Sequence, residues 1–108
     1  SRLDHTFGNV AILTKLALQG VRGRIVNEHN EIYVTKDRVE IKAEQDYHLS
    51  LLPLTEEVEG VTTSGLQYIL NDATLSFSST RGISNEFTED RAVVTIRKGI
   101  LMVIKSRD

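Results

Sequence analysis

The sequence predicts an α+β domain built mainly on an antiparallel β-sheet of about six strands, with an N-terminal helix and one short helix near residues 64–71. Apolar residues recur at helical spacing in residues 4–20, and from Val21 onward they mostly alternate with polar ones. Strands that follow one another without long helices between them cannot make parallel crossover connections. The alternative is an all-β sandwich or barrel, because residues 10–13 and 15–19 also fit two short strands.

The N-terminal segment carries the start and stop signals of a helix. Asp4, Thr6 and Asn9 are candidate N-cap residues, and Gly20 stands where a helix commonly ends. Apolar side chains occupy most of the helix circumference and leave a narrow polar stripe, formed by Thr14, Lys15 and Gln19. A helix with so wide an apolar surface is expected to be covered on most sides.

Residues 21–54 predict three or four strands. Residues 21–26 alternate, and residues 31–44 predict a hairpin that turns at Lys36-Asp37. The second arm of this hairpin, residues 39–44, alternates strictly and is expected to be half buried. Residues 47–54 predict a further strand, which ends at the single proline of the chain.

The middle of the chain predicts loops around one short helix and one strand. Residues 55–63 and 82–90 are acidic and predict loops. Residues 64–71 predict the short helix, and residues 73–80 predict a strand. The residues of the short helix expected to face inward are Leu66, Ile69 and Leu70.

Residues 91–107 predict a final hairpin with Lys98-Gly99 as its two-residue turn. One face is mostly apolar and is assigned to the core; it consists of Ala92, Val94, Ile96, Leu101, Val103 and Lys105. The opposite face is mixed, and its residues are the candidate partner-binding set: Thr95, Arg97, Ile100, Met102 and Ile104. Two interpretations stay open, because either the N-terminal helix covers this second face or its apolar side chains bind another chain.

The composition is that of one soluble globular domain. With 108 residues and a mass of 12.1 kDa, the chain can bury a core without disulfides or metals. It begins with Ser1 rather than Met, so we expect one compact domain, residues 1–108, excised or processed from a longer chain. No run of roughly 18 apolar residues occurs, and no membrane insertion is expected. The lack of cysteine excludes thiolate sites and favours a reducing compartment such as the cytoplasm, although the sequence does not determine the compartment.

Recognisable motifs for chemistry are absent from the sequence. His5, His29 and His48 lack a second ligand at a metal-binding spacing, and no GxSxG turn marks a nucleophilic serine. Residues 20–23 lack the third glycine of a dinucleotide loop, and residues 78–82 share only their composition with a phosphate-binding nest. We therefore predict no catalytic residue, no cofactor and no metal.

The basic residues of the C-terminal segment suggest nucleic-acid binding as an alternative function. A basic hairpin can contact phosphates as a β-ribbon does. The candidate residues are Arg91, Arg97, Lys98, Lys105 and Arg107. Two features oppose this hypothesis: no aromatic residue lies among them, and the isoelectric point is only about 5.9.

The favoured function is a non-catalytic protein–protein interaction or assembly module acting through Ile100, Met102 and Ile104. Its expected partner is another protein chain or a second copy of the same chain. A nucleic-acid-binding module is the first alternative, and an enzyme fragment without a recognisable motif is the second.

Overall fold

Two antiparallel sheets pack face to face, and one helix covers part of the outer face of the larger sheet, in the computed structural model, which describes residues 2–108. The elements in chain order are α1 (Leu3–Leu18), β1 (Arg24–Val26), β2 (Asn30–Thr35), β3 (Arg38–Lys42), β4 (His48–Pro53), β5 (Glu57–Ser64), β6 (Ala73–Ser76), β7 (Asn85–Glu86), β8 (Arg91–Thr95) and β9 (Leu101–Ser106). The larger sheet has the order β1-β2-β9-β4-β7, and the smaller has β3-β8-β5-β6. The predicted α+β class with antiparallel strands is confirmed, although residues 2–108 form nine strands rather than six.

Helix α1 is confirmed, but its N-terminal details differ from the prediction. The helix begins at Leu3, so the three candidate N-cap residues lie inside it, and the N-cap position is held by Arg2. Gly20 ends the helix as predicted: its φ is +76°, and its N–H donates to the Ala17 carbonyl while the Val21 N–H donates to the Leu16 carbonyl. Within residues 2–108 no helix has both the length and the apolar character needed to cross a bilayer.

Only one side of α1 is covered, contrary to the expectation from its wide apolar surface. Leu13 and Ala17 are buried in one cluster with Ile32 and Val34 of β2. The large apolar side chains left exposed on the helix, here called the outer face of α1, are Leu3, Phe7, Ile12 and Leu18. The sequence shows that these side chains are apolar, but it cannot show whether this chain supplies a surface to cover them.

Both predicted hairpins are wrong for the same reason. The turn at Lys36-Asp37 does not fold β3 back onto β2, because β2 belongs to the larger sheet and β3 to the smaller one. Residues 96–100 likewise carry the chain from β8 in the smaller sheet to β9 in the larger sheet. The two crossings are adjacent, since the Ile96 N–H donates to the Asp37 carbonyl at 2.8 Å. Alternation determines which side chains face inward, but a hairpin and a crossing between packed sheets share the same alternation.

The assignment of faces on the C-terminal strands is correct even though their pairing is not. The six residues assigned to the core are all buried, with those of β8 and β9 in opposite sheets. Val94 lies between Val39 and Thr63 in the smaller sheet, while Val103 lies between Tyr33 and Leu51 in the larger sheet. The two sheets thus form one apolar interior between them.

The apolar side chains on the outer face of β9, and Ile100 just before it, border the cluster that α1 forms with β2. Ile100, Met102 and Ile104 pack partly buried against the cluster that contains Leu13 and Ala17. This arrangement favours the first of the two interpretations, since the cluster built by the helix covers part of the stripe. A strand packed on both faces needs apolar residues on both faces, which explains the loss of alternation after Gly99.

The predicted acidic loop at residues 55–63 is largely β5. Val58 and Val61 are completely buried, and a bulge between them shifts the register against β6. Gly60 lies in this bulge with φ of +68°, and a Cβ there would lie 2.3 Å from the Arg97 Nε. The bulge interrupts the alternation of apolar and polar residues, so the sequence pattern does not predict a strand here.

The predicted short helix at residues 64–71 is wrong, because the main-chain N–H groups of this segment donate to residues outside it. The Tyr68 N–H donates to the Asn85 side chain, and the Leu70 N–H donates to the Thr63 hydroxyl at 2.8 Å. Gly65 has φ of +78° and approaches the Arg91 carbonyl so closely that a Cβ would lie 2.1 Å from its oxygen. Fixed external partners therefore replace the internal bonds of a helix.

Candidate ligand-binding rim

Two loop segments lie side by side at one edge of the sandwich, where β6 and β7 end their respective sheets. We call residues 65–72 and 83–87 the rim. The Gln67 N–H donates to the Glu86 carbonyl at 2.9 Å, and the Thr88 N–H donates to the Gly65 carbonyl at 2.9 Å. Leu66, which is 3% exposed, pairs with Phe87 in an isolated bridge and anchors the rim to the core. The rim therefore has a fixed backbone although it contains almost no regular strand.

The side chain of Asn85 fixes the main chain at Tyr68. Its Oδ1 accepts the Tyr68 N–H at 3.0 Å, and its Nδ2 donates to the Tyr68 carbonyl at 2.6 Å. The same Oδ1 also accepts the Glu86 N–H at 3.0 Å. The Asn85 side chain thus makes hydrogen bonds to both the main-chain N–H and the carbonyl of Tyr68. In a sheet, a neighbouring strand would make these two bonds.

Ser84 precedes Asn85 in a left-handed backbone conformation, with φ of +58°. Its N–H donates to the Ser50 hydroxyl on β4 at 2.9 Å, and this bond holds the conformation. A non-glycine residue in this region costs on the order of 1 kcal/mol, and such strain concentrates at ligand-binding sites.

Large apolar side chains point away from this fixed backbone. Tyr68 is 70% exposed, Ile69 is 66% exposed and Ile83 is 43% exposed. A rigid loop that presents an aromatic ring to solvent is suited to stacking on a flat ligand. The carboxylate of Glu86, which is 63% exposed, favours a ligand with positive charge.

Comparison with known proteins decides the family. Residues 30–101, more than half of the chain, match the family described as "Thiamin pyrophosphokinase, vitamin B1 binding domain". Thiamine pyrophosphokinase of Bacillus subtilis (strain 168) is 32% identical over 109 residues, which cover 99% of the chain and 51% of that protein. The chain belongs to the thiamin pyrophosphokinase family.

Solved structures of thiamin pyrophosphokinases have the same fold. The crystal structure of the Bacillus subtilis protein matches with a TM-score of 0.91 at 30% identity, covering 100% of this chain and 51% of that one. The Geobacillus thermodenitrificans protein matches with a TM-score of 0.86 at 34% identity, covering 100% of this chain and 50% of that one. The chain thus spans about half the length of these relatives.

Membership of the thiamin pyrophosphokinase family overturns the predicted function. The interpretation as a non-catalytic assembly module is wrong, because the family and its relatives are named as pyrophosphokinases, which are enzymes. The error followed from reading Ile100, Met102 and Ile104 as surplus apolar surface, whereas the cluster that α1 forms with β2 partly covers them. The matched residues 30–101 contain the whole rim and exclude α1 and β1.

The predicted partner-binding residues do not form one surface. Thr95 lies in the smaller sheet opposite Arg38 and Thr62, away from the stripe on β9. Arg97 lies in the crossing between the sheets, where its Nε and Nη2 donate to the Asp72 carboxylate at 3.1 and 2.7 Å. Pairing these residues with β9 required the hairpin that the structure does not contain.

The predicted nucleic-acid-binding residues are also dispersed, and each has a partner within the domain. Arg91 pairs with Glu40 at 3.5 Å, and Lys98 pairs with Glu59 at 3.7 Å. Arg97 is held by Asp72, and the Arg107 guanidinium lies 5.7 Å from the centre of the Tyr47 ring. No basic ribbon projects from residues 91–108, since β8 and β9 belong to different sheets.

Lys105, the fifth of these residues, is buried on the interior row of β9. Its Nζ lies 3.2 Å from Glu31 and 2.5 Å from Glu44, and 5.1 Å from the centre of the Tyr47 ring. Burial alone would lower the pKa of Lys105, but hydrogen bonds and the charges of both glutamates outweigh it and raise the pKa. This lysine is a structural cation rather than a surface contact.

Proposed function

We propose that the chain binds thiamine at the rim and forms the thiamine-binding part of a thiamin pyrophosphokinase. The observation that carries this proposal is the exposed Tyr68 ring on a backbone fixed by Asn85. The name of the matched family supports it, because the matched residues include both positions.

The chemistry of thiamine suits these side chains. Thiamine joins an aromatic aminopyrimidine ring to a positively charged thiazolium ring. Tyr68 offers a face for stacking and for cation–π attraction, and Ile69 and Ile83 offer apolar contacts beside it. Glu86 supplies negative charge for the thiazolium.

The activity proposed for the complete protein is transfer of a diphosphate group from a nucleoside triphosphate to the hydroxyl of thiamine, with release of the nucleoside monophosphate. In that reaction this chain contributes the binding of the acceptor. Holding the acceptor in one orientation lowers the entropic part of the barrier, and a rigid rim is better suited to this than a mobile loop.

Thiamine titration of the 108-residue chain by isothermal calorimetry tests the site. We expect Tyr68→Ala to weaken thiamine binding by about 5-fold to 150-fold, since stacking on one aromatic ring contributes about 1–3 kcal/mol. Tyr68→Phe keeps the ring and should bind nearly as the unmodified chain does.

Phe77→Ala is the matched control for this experiment. Phe77 is 67% exposed, close to the exposure of Tyr68, but follows β6 at the end opposite to the rim. An equal loss of affinity in both alanine variants, or no loss in Tyr68→Ala, would contradict the assignment of the site.

We also propose that the isolated chain self-associates through the outer face of α1. Four large apolar side chains lie exposed on this helix, and the relatives contain about as much additional chain as is present here. Sedimentation equilibrium should detect an oligomer that persists in high salt and that Phe7→Glu converts to a folded monomer. A monomer at all concentrations would refute self-association.

A further inference from the structure

A cleft of about 470 Å³ lies at the edge of the sandwich opposite to the rim. It opens between the α1–β1 connection, residues 19–23, and the crossing at Lys36-Asp37. Its size falls within the range of small-molecule sites, roughly 300–1,000 Å³. Neither the rim nor the outer face of α1 contributes to it, so the functions proposed above leave it without a role.

Basic side chains dominate the lining of the cleft. Four cations line it, namely Arg22, Arg24, Lys36 and Arg38, against two carboxylates, Asp37 and Glu40. The 108-residue chain has a net charge of −2, so this concentration of positive charge is local. A concave site lined by cations attracts anions more strongly than the same charges on a flat surface.

Of the two carboxylates, Glu40 is paired with guanidinium groups, and Asp37 accepts hydrogen bonds from neutral groups of its own turn. Asp37 accepts the Arg38 N–H at 2.6 Å and the Thr35 hydroxyl at 3.3 Å. Glu40 lies 3.5 Å from both the Arg38 and the Arg91 guanidinium groups. Two negative charges against four positive ones leave the lining with an excess of positive charge.

Arg22 and Lys36 have no carboxylate within 4.0 Å anywhere in residues 2–108, and both are exposed. They lie on the two segments that bound the cleft, one on each. Gly23 makes this placement possible, since its Cα passes so close to α1 that a Cβ would lie 3.1 Å from the Leu13 Cδ2. The close approach brings the chain back over the helix directly after Arg22.

Arg24 adds a cation that is held in position. Its Nη1 lies 3.2 Å from Glu31 and 3.4 Å from the Tyr33 hydroxyl. A guanidinium fixed in this way is ready to donate its remaining N–H groups to phosphate oxygens. Apolar residues, Ala17, Val21 and Val34, complete the wall and offer a surface for an organic ring.

We propose that this cleft binds an organic diphosphate, with Arg22 and Lys36 contacting the diphosphate from opposite sides. The chemical class includes nucleoside diphosphates and thiamine diphosphate, which share the diphosphate and an attached ring system. The site is separate from the rim and does not depend on the function proposed for it.

Calorimetric titrations at low salt with inorganic pyrophosphate, ADP and thiamine diphosphate test the proposal on the 108-residue chain. We expect at least one organic ligand to bind more tightly than pyrophosphate, and its affinity to fall as salt is added. Whichever of ADP and thiamine diphosphate binds more tightly identifies the source of the diphosphate.

The double variant Arg22→Ala/Lys36→Ala should weaken this binding at least tenfold. Lys42→Ala/Arg81→Ala is the matched control, because it removes the same charge from residues outside the cleft and should change affinity less than twofold. Equal effects of the two double variants, or no binding of any of the three ligands, would overturn the proposal. Pyrophosphate binding as tightly as both organic ligands would overturn the assignment to an organic diphosphate.

Two further measurements separate this site from the rim. Tyr68→Ala should leave the binding of ADP unchanged, and Arg22→Ala/Lys36→Ala should leave the binding of thiamine unchanged. Loss of ADP binding in Tyr68→Ala would show that the diphosphate occupies the rim and would overturn the separate site, whatever the result of the thiamine titration.

Discussion

The two faces of β9 are covered by different structures and to different extents. Leu101 and Val103 face the smaller sheet and are 0% exposed, whereas Met102 and Ile104 face α1 and are only partly buried. A sheet covers its neighbour along the whole strand, while one helix covers a narrow stripe. Equally apolar residues on one strand can therefore contribute very different free energies to folding, and the sequence alone does not distinguish them.

Truncation of adjacent residues on β9 gives the largest expected effect. Leu101→Ala should lower the free energy of unfolding by about 2–5 kcal/mol, because it leaves a cavity between the sheets. Met102→Ala should cost on the order of 1–2 kcal/mol, since its side chain is already partly in contact with water. Urea denaturation of both variants measures the difference in unfolding free energy. Equal losses of stability would show that the two faces of β9 are equally buried.

A smaller, pH-dependent effect is expected from Glu31, which contacts Lys105 on the interior row of β9. Burial would raise the pKa of Glu31, but hydrogen bonds from Tyr33 and Lys105 and the charges of Lys105 and Arg24 outweigh it, so the pKa lies below its usual value of 4.5. Its stabilising contribution is therefore present above pH 4.5 and is lost as the pH falls through the lowered pKa. Glu31→Gln should cost about 2 kcal/mol at neutral pH.

Denaturation as a function of pH checks this prediction. The difference in unfolding free energy between the unmodified chain and Glu31→Gln should shrink as the pH falls below 4.5. Glu28→Gln is the control, since the Glu28 side chain is 83% exposed and should show little difference at any pH. A difference for Glu31→Gln that stays constant down to strongly acidic pH would argue against the ion pair.

The smallest expected effect tests the uncovered side of α1 in the monomeric chain. Ile12 is 59% exposed and its neighbour Leu13 is 6% exposed. Ile12→Ala should change stability by at most about 0.5 kcal/mol, whereas Leu13→Ala should cost about 2 kcal/mol or more. These values apply at concentrations where the chain is monomeric. A large loss in Ile12→Ala under those conditions would mean that the outer face of α1 is covered after all.

Sequence patterns predicted the elements whose signals are local. The helix stops just before Gly20, and β4 ends at Pro53, as expected from the backbone preferences of these two residues. The buried row of Leu101, Val103 and Lys105 was also predictable from alternation. Strand partners were not, because alternation is identical whether β8 pairs with β9 or faces it across the interior.

The rim was not predictable because its stabilising contacts are not local. Tyr68 and Asn85 are 17 residues apart, and the contact between them joins a side chain to a main chain. Such a contact does not produce a periodic pattern of apolar residues in either segment, so the sequence does not reveal it. The segment containing Tyr68 does carry one usable signal: Gly65 and the Asn71-Asp72 pair leave only five residues between them, too few for a stable helix.

The central position of β9 has a consequence for the order in which the domain is made. Ribosomes synthesise β2 and β4 well before β9, yet both strands pair with β9 along its whole length. Leu101 lies between Thr35 of β2 and Pro53 of β4, and Ser106 lies between Asn30 and His48. At roughly 5–20 residues per second, several seconds separate the emergence of β2 from that of β9. During that interval the larger sheet lacks its middle strand, and the apolar side chains of β2 and β4 remain exposed to other nascent chains. Protection of the nascent chain is therefore most needed until β9 becomes available to pair with β2 and β4.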